Sequence, residues 1–377
     1  MLRSLLAFCL LTVLALQGHA APTIPTAPDV DARAYILVDF HTGKVLAAHE
    51  AIARMEPASL TKLMTTYIVF QKLAAGQLKL DEPVIVSEHA WRSEGSRTFI
   101  EPGKPVAVEK LILGMIVQSG NDATIALAER IGGTEQTFVQ LMNAEAQNLG
   151  MTGTHFDNSS GLPSPQHYTS ARDLSLLAVA LIRDFPQYYK WFSVREFDYN
   201  GIRQQNRNGL LDRDPTVDGL KTGHTDAAGF CLVTSSLRSG MRLVSVVLGS
   251  KSMKARENAS AALLGYGFNF YETRLIASGG ARLATIPVWK ADSPTLEVGI
   301  AHDLYVTVPR AGSADIKTAV DVRQRLIAPI GADADVGQLR VFSAGETLAT
   351  VPVHPLHAVP NGSWWRRLVD SIRLWFA

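Results

Sequence analysis

Strand-forming segments lie at both ends of a long helical block, and that arrangement limits the fold more than any other feature of the chain. From Ala34, AYILVDF and VLAAHE flank a turn containing Gly43, the pattern of two short strands. Apolar residues then recur at helical spacing over 59–75, which stops at Gly76, and again over 108–117, 122–131 and 135–149. Ser170-Ala-Arg-Asp173, before LSLLAVALI, has the form of a capping box with Asp in place of Glu. After Gly219 the pattern returns to strands: GFCLVTSSL and MRLVSVVLGS flank Arg238-Ser-Gly240 as a hairpin, and 254–271 reads as a helix. Two early strands cannot make a sheet alone, so they must pair with the late ones. The class expected is α+β, with one sheet completed from distant segments.

A domain boundary is expected near residue 275. Beyond it LEVGI, LYVTVP, LRVFS and LATVPVH are short strands broken by Pro, Gly and Asp, which reads as a small all-β domain over 276–358. The 377 residues are 47% apolar and 19% charged, a globular balance that disfavours disorder. A formal charge of +1 argues against a surface built to bind nucleic acid.

The two ends differ from the rest. MLRSLLAFCLLTVLALQGHA holds one cation, Arg3, an uncharged apolar run, and small residues at Gly18 and Ala20. That is the form of a secretory signal peptide, residues 1–20, cleaved after Ala20. Its apolar run is shorter than the ~18 to 20 residues that span a bilayer. Cys9 leaves with it and Cys231 remains alone, so no internal disulfide is expected. Cys231 reads as a small buried hydrophobe close enough to the site for thiol sensitivity.

At the other end, on a helical wheel, Trp364, Trp365, Leu368, Val369, Ile372, Trp375 and Phe376 fall within an arc of about 140°. Three arginines oppose one aspartate on the remainder. Residues 359–377 are expected to form an amphipathic helix on a membrane surface, with Pro355 and Pro360 marking a linker before it. The plainer reading is a terminal helix docked on its own domain.

No CxxC, HExxH, GxxxxGK[ST] or GxSxG occurs, so no metal or cofactor is called for. Ser59-Leu-Thr-Lys62 is an SxxK at a helix start, where hydroxyl and amine share one face. A serine becomes a nucleophile when a base takes its proton, and a lysine held neutral by burial can do so. Alone, SxxK is common enough to be a solvated helix face. Ser119-Gly-Asn121 lies between helical segments, where a hydroxyl can relay a proton and a carboxamide can hold a substrate amide. Lys221-Thr-Gly223 opens a strand, where a cation and a hydroxyl can meet a carboxylate and glycine leaves room for a ligand. SxxK, SxN and KTG in this order are the motif set of penicillin-interacting serine enzymes.

PASLTKLMT, QSGNDA, FVQLMN, GIRQQNRNGLL, DGLKTGHTDAAG and the run through KARENA resemble the low-molecular-mass penicillin-binding proteins that are D-alanyl-D-alanine carboxypeptidases. The resemblance covers the whole chain after residue 20, second domain and tail included. It implies a β-lactamase/DD-peptidase-like catalytic domain over 21–275. It also implies that Ser59 is the acylated nucleophile, Lys62 its base, Ser119 a proton relay and Asn121 a binder of the substrate amide. Lys221 and Thr222 would meet the terminal carboxylate, with Arg207 and Arg256 assisting or serving in ion pairs. The backbone N–H groups of Ser59 and His224, beside Gly223, would form the oxyanion hole. Asp173 reads as a cap and not a catalyst. The implied partners are peptidoglycan stem peptides, β-lactams as inhibitors and the outer face of the inner membrane, in the periplasm. Two loops, 90–100 and 206–221, are shorter than in familiar members, which bears on substrate preference and deacylation. A β-lactamase of the same fold is disfavoured by the lack of an ExxLN element between Asn121 and Lys221. A non-catalytic sensor of cell-wall peptides would have no use for an activated serine.

Overall fold

The computed structural model describes residues 24–343 and 345–376. The leader expected over 1–20 lies outside them. The early and late strands meet as anticipated. β1 (Ala34–Asp39), β2 (Val45–His49), β3 (Val217–Thr225), β4 (Gly229–Arg238) and β5 (Met241–Ser250) form one antiparallel sheet in the order β2-β1-β5-β4-β3. β1 joins β5 with Ile36 opposite Val246 and Val38 opposite Val244. Because strand side chains alternate, Ile36, Val38, Val233 and Val246 face the helical block, while Leu37, Leu232 and Val247 face the other way.

The block holds α1 (Lys62–Ala74), α2 (Asn121–Gly132), α3 (Glu135–Asn148) and α4 (Ala171–Asp184). α1 is buried along nearly its whole length, Lys62 to Phe70 without a break, because it runs through the middle of the block. α5 (Met253–Phe270), capped by Ser252, covers the opposite face through Ala259, Leu263 and Leu264. The helix expected over 108–117 is α-helical only over Val108–Leu113 and continues as a π-turn, Gly114–Gln118.

β6 (Tyr271–Ala277) begins where α5 ends and pairs with β9 (Leu304–Pro309), so it straddles residue 275. β7 (Ala284–Pro287), β8 (Thr295–Gly299), β10 (Lys317–Val322), β11 (Gly337–Ser343) and β12 (Glu346–Pro355) form a second sheet in the order β7-β8-β12-β11-β10. Three hydroxyls and a carboxylate cross between the domains. Asp39 accepts from Thr42 and Thr273, and Thr42 meets Thr307 at 2.7 Å. Lys44 adds a bond to the Thr307 carbonyl, and His41 stacks on Tyr305 with ring centroids 4.1 Å apart.

The segment expected as a linker is instead stitched down: Pro355 ends β12, Val359 and Ile330 exchange two backbone bonds, and Gly362 donates to the Lys290 carbonyl. α6 (Trp364–Arg373) follows. It meets its own domain with polar groups, since Asp370 is buried and accepts the Lys290 N–H at 2.7 Å while Arg366 donates to the Asp292 carbonyl. Its apolar stripe points away, with Trp364 73% exposed and Ile372 58%, and just past its end Trp375 is 91% exposed. Among the described residues no helix is long and apolar enough to cross a membrane.

Candidate active site

A tight turn at the start of α1 carries Ser59. Pro57 precedes a 3-10 turn, Ala58–Thr61, that runs straight into the helix. Ala58 has φ +46°, a left-handed conformation that costs a residue with a side chain on the order of 1–3 kcal/mol unless its surroundings enforce it. They do. Gly161 packs so closely that a Cβ there would lie 1.8 Å from the Ala58 carbonyl oxygen, and Thr61 Oγ1 donates to that oxygen at 2.9 Å. Gly223 lets β3 abut the same turn, because a Cβ there would be 3.2 Å from Ser59 N.

Lys62 is fully buried, yet its ammonium has three acceptors for three N–H groups: Ser59 Oγ at 3.1 Å, Asn121 Oδ1 at 2.7 Å and the Ser160 carbonyl at 2.6 Å. Its pKa is lowered to about 7, by burial first and by the Arg207 charge second, against a pull upward from Asp122 and Glu135. When the amine is neutral, Asn121 and Ser160 still hold two N–H groups. The lone pair is then left toward Ser59 Oγ, the arrangement a general base requires.

Ser119 sits in the left-handed region, φ +66°, at the end of the π-turn. Its hydroxyl is buried without a hydrogen-bond partner among the described residues and borders the same cavity as Ser59. Asn121 is held from the opposite side by loop 94–100: its Nδ2 donates to the Glu94 carbonyl and its backbone N–H to Ser96. Asp122 fixes that loop in turn, accepting backbone N–H groups from Thr98, Phe99, Ile100 and Ala123 within a fully buried site. The loop thus leans directly on the SxN motif.

The cavity has a volume of about 320 Å³. Thr222, Gly223 and His224 of β3 form one wall, with Ser59, Ser96 and Ser119 opposite. His224 stacks on Phe230, centroids 3.9 Å apart, which holds the strand end in place. Lys221 lies beneath this wall and does not line it; its ammonium donates to the Thr222 carbonyl, and burial first, then the charges of Lys62, Arg207 and Arg256, push its pKa well down. Arg207 and Arg256 both border the cavity, but they differ. Arg256 is buried and donates to the carbonyls of Gly223, Cys231 and Arg207, bracing β3 and β4. Arg207 makes no side-chain hydrogen bond or ion pair among the described residues, which leaves its guanidinium for a ligand carboxylate.

A nucleophile, a desolvated base, an unpartnered hydroxyl and a cationic end wall suit acyl transfer on a peptide that ends in a carboxylate. The model of the D-alanyl-D-alanine carboxypeptidase family matches residues 21–252, most of the chain. The chain belongs to this family. A second model, the C-terminal domain of penicillin-binding protein 5, matches residues 271–361. D-alanyl-D-alanine carboxypeptidase DacA of Escherichia coli (strain K12) is 42% identical over 361 residues, 94% of this chain and 90% of its own length. Penicillin-binding protein 5 of Haemophilus influenzae superposes with a TM-score of 0.84 at 36% identity, covering 89% of this chain and all of the other. Penicillin-binding protein D2 of Listeria monocytogenes, solved in an ampicillin-bound form, covers 65% of this chain with a TM-score of 0.60 at 30% identity.

Within this carboxypeptidase frame the structure brings together Ser59, Lys62, Ser119, Asn121, Thr222, Gly223, His224, Arg207 and Arg256, and sets Lys221 just behind. Sequence reasoning missed Ser160, which acts through its carbonyl and leaves no trace in residue type. It also missed Asp122, whose acidic side chain at a helix start reads as an ordinary first-turn residue. Asp173 takes half the expected cap: Ser170 Oγ accepts its N–H, but its carboxylate turns to Gly153 and Thr154. Cys231 is buried, and burial pushes its thiol up to about 11, which disfavours the thiolate at neutral pH.

Proposed function

We propose that this carboxypeptidase removes the terminal D-alanine from peptidoglycan stem pentapeptides through an acyl-enzyme on Ser59, and that β-lactams are trapped on the same oxygen. The observation that carries it is the contact of Ser59 Oγ with a buried Lys62 whose pKa lies near neutrality. Ser59 Oγ attacks the carbonyl carbon between the two D-alanines and gives its proton to Lys62 Nζ. The oxyanion is received by the N–H groups of Ser59 and His224 at the junction of β3 with the turn. Lys62 returns that proton through the Ser119 hydroxyl to the departing D-alanine amine, which leaves the lysine neutral and Ser119 protonated. Water then attacks the ester, losing a proton to the again neutral Lys62, which hands it to Ser59 Oγ as the shortened peptide leaves. Thr222 and Arg207 meet the terminal carboxylate, with Lys221 adding charge from below.

The test follows D-alanine release from diacetyl-Lys-D-Ala-D-Ala, with peptide mapping of a penicillin adduct by mass. Release of D-alanine and an adduct on Ser59 are expected. No release, or an adduct elsewhere, would sink the reading, and rapid penicillin turnover would favour a β-lactamase.

The place of action belongs to the same proposal: export through residues 1–20, and attachment to the outer face of the inner membrane through α6. Its support is the outward stripe of Trp364, Trp365, Leu368, Ile372, Trp375 and Phe376, anchored from behind by Asp370. Tryptophan at headgroup depth and arginine toward anionic lipid suit an interfacial helix. Deleting 363–377 is expected to move the protein from sedimenting membranes to the soluble fraction with peptide cleavage intact. Unchanged sedimentation refutes the anchor.

A further inference from the structure

His167 lies outside all three motifs, yet a directed chain of hydrogen bonds joins it to the turn that carries the nucleophile. Its ring is buried, at 3% exposure, with Phe156 packed edge-on. Its Nε2 is 2.8 Å from Thr61 Oγ1, and Thr61 Oγ1 is 2.9 Å from the Ala58 carbonyl oxygen. A carbonyl only accepts, so the single hydroxyl proton of Thr61 goes to Ala58. His167 Nε2–H must therefore be the donor to Thr61. That leaves Nδ1 without a proton, free to accept, and the Asp157 N–H points to it at 3.3 Å. One neutral tautomer satisfies every partner.

The chain runs from Asp157 N–H through His167 and Thr61 to Ala58, the residue with φ +46° immediately before Ser59. We propose that His167 is a positioning residue for acylation, acting through Thr61 to hold the Ala58 carbonyl and so to aim the Ser59 hydroxyl at Lys62. The proposal rests on the acyl-enzyme reading above. Burial keeps the ring neutral, with a pKa lowered to about 4; Asp157 opposes that shift, while His155 and Lys62 reinforce it. The aiming bond thus persists at any pH where Lys62 is a base. Loop 158–167 binds the turn three times over, through the Ser160 carbonyl on Lys62, Gly161 against Ala58 and His167 on Thr61.

The test measures penicillin acylation in the full chain, separating the noncovalent binding constant from the acylation rate constant, with thermal melting as a check of folding. Gln at position 167 places an amide N–H where Nε2 was, whereas the shorter Asn reaches only the Nδ1 position. His167→Asn is expected to lower the rate constant at least tenfold with binding within threefold, and His167→Gln to restore it to within threefold of the unaltered protein. Thr61→Val should cause a similar loss, and adding His167→Asn to it should change the rate less than threefold, because both act through one bond. Wild-type acylation by a folded His167→Asn, a loss wholly in binding, or losses that multiply in the double variant would overturn the proposal. Should His167→Asn fail to fold, an undiminished rate in Thr61→Val overturns it equally, and a tenfold loss there sustains it. Adduct mapping keeps the two readings apart: an adduct away from Ser59 defeats the acyl-enzyme, while an adduct on Ser59 with these variants unaffected defeats only the role of His167.

Discussion

Lys62→Ala is expected to lower the acylation rate by about 10³-fold or more while leaving penicillin binding nearly unchanged. A general base is worth about 10²- to 10⁴-fold when it removes a proton in the transition state, and among the described residues no other basic side chain bonds Ser59. The unaltered protein should show the matching pH dependence. The lysine works only when neutral, so the rate should sit on a plateau above its pKa of about 7 and fall tenfold per pH unit below it. Burial sets that value first and Arg207 second, so Arg207→Ala should move the acid limb to higher pH. Stopped-flow acylation between pH 5 and 10 checks this. A flat profile, or an acid limb near the ordinary lysine value, would refute Lys62 as the base.

Gly161→Ala is the second large effect. Its φ of +90° excludes a side chain cheaply, and the added carbon would lie 1.8 Å from a backbone oxygen that cannot retreat without moving Ser59. A loss of at least about 2 kcal/mol of stability is expected, with acylation down tenfold or more, since the loop that must shift also carries the Ser160 carbonyl on Lys62. Gly76→Ala is the control: it has the same sign of φ, +68°, but open space around it, so it should cost about 1 kcal/mol and leave acylation alone. Urea unfolding and acylation rates measured on both variants decide the matter. Equal behaviour of the two glycines would show that the clash is relieved elsewhere.

The sheet was legible because its strands are apolar, β-branched-rich runs bounded by turn residues, and because early strands without partners demand late ones. The ends of the helical block were less so. The π-turn before Ser119 has the same apolar spacing as the helix it continues, and only its end, where the chain turns left-handed, differs. β7 and β10 were missed because they are short and amphipathic, and β6 was missed because α5 passes into it without a turn residue: the expected helix ran to its first residue, Tyr271, and the rest fell around the expected domain boundary. In the site, the motif side chains could be read, while groups that act through backbone atoms could not. Ser160 contributes a carbonyl, Ala58 a strained φ, and Gly161 the absence of a side chain; each is defined by what lies opposite, which residue type does not record. The prolines near residue 360 misled for the reverse reason, since proline marks a break in regular structure whether or not the break is tied down.

The junction between the domains bears on where the enzyme can reach. β6 leaves α5 with no spacer, and Asp39, Thr42 and Lys44 clasp Thr273 and Thr307 across the gap. Such a joint resists bending, so with α6 lying on a membrane as proposed, the second domain becomes a strut of set length and the catalytic serine is carried at one altitude above the lipid. Stem peptides would then be sorted by their depth in the wall as well as by their chemistry, with those nearest the surface on which they are assembled trimmed first.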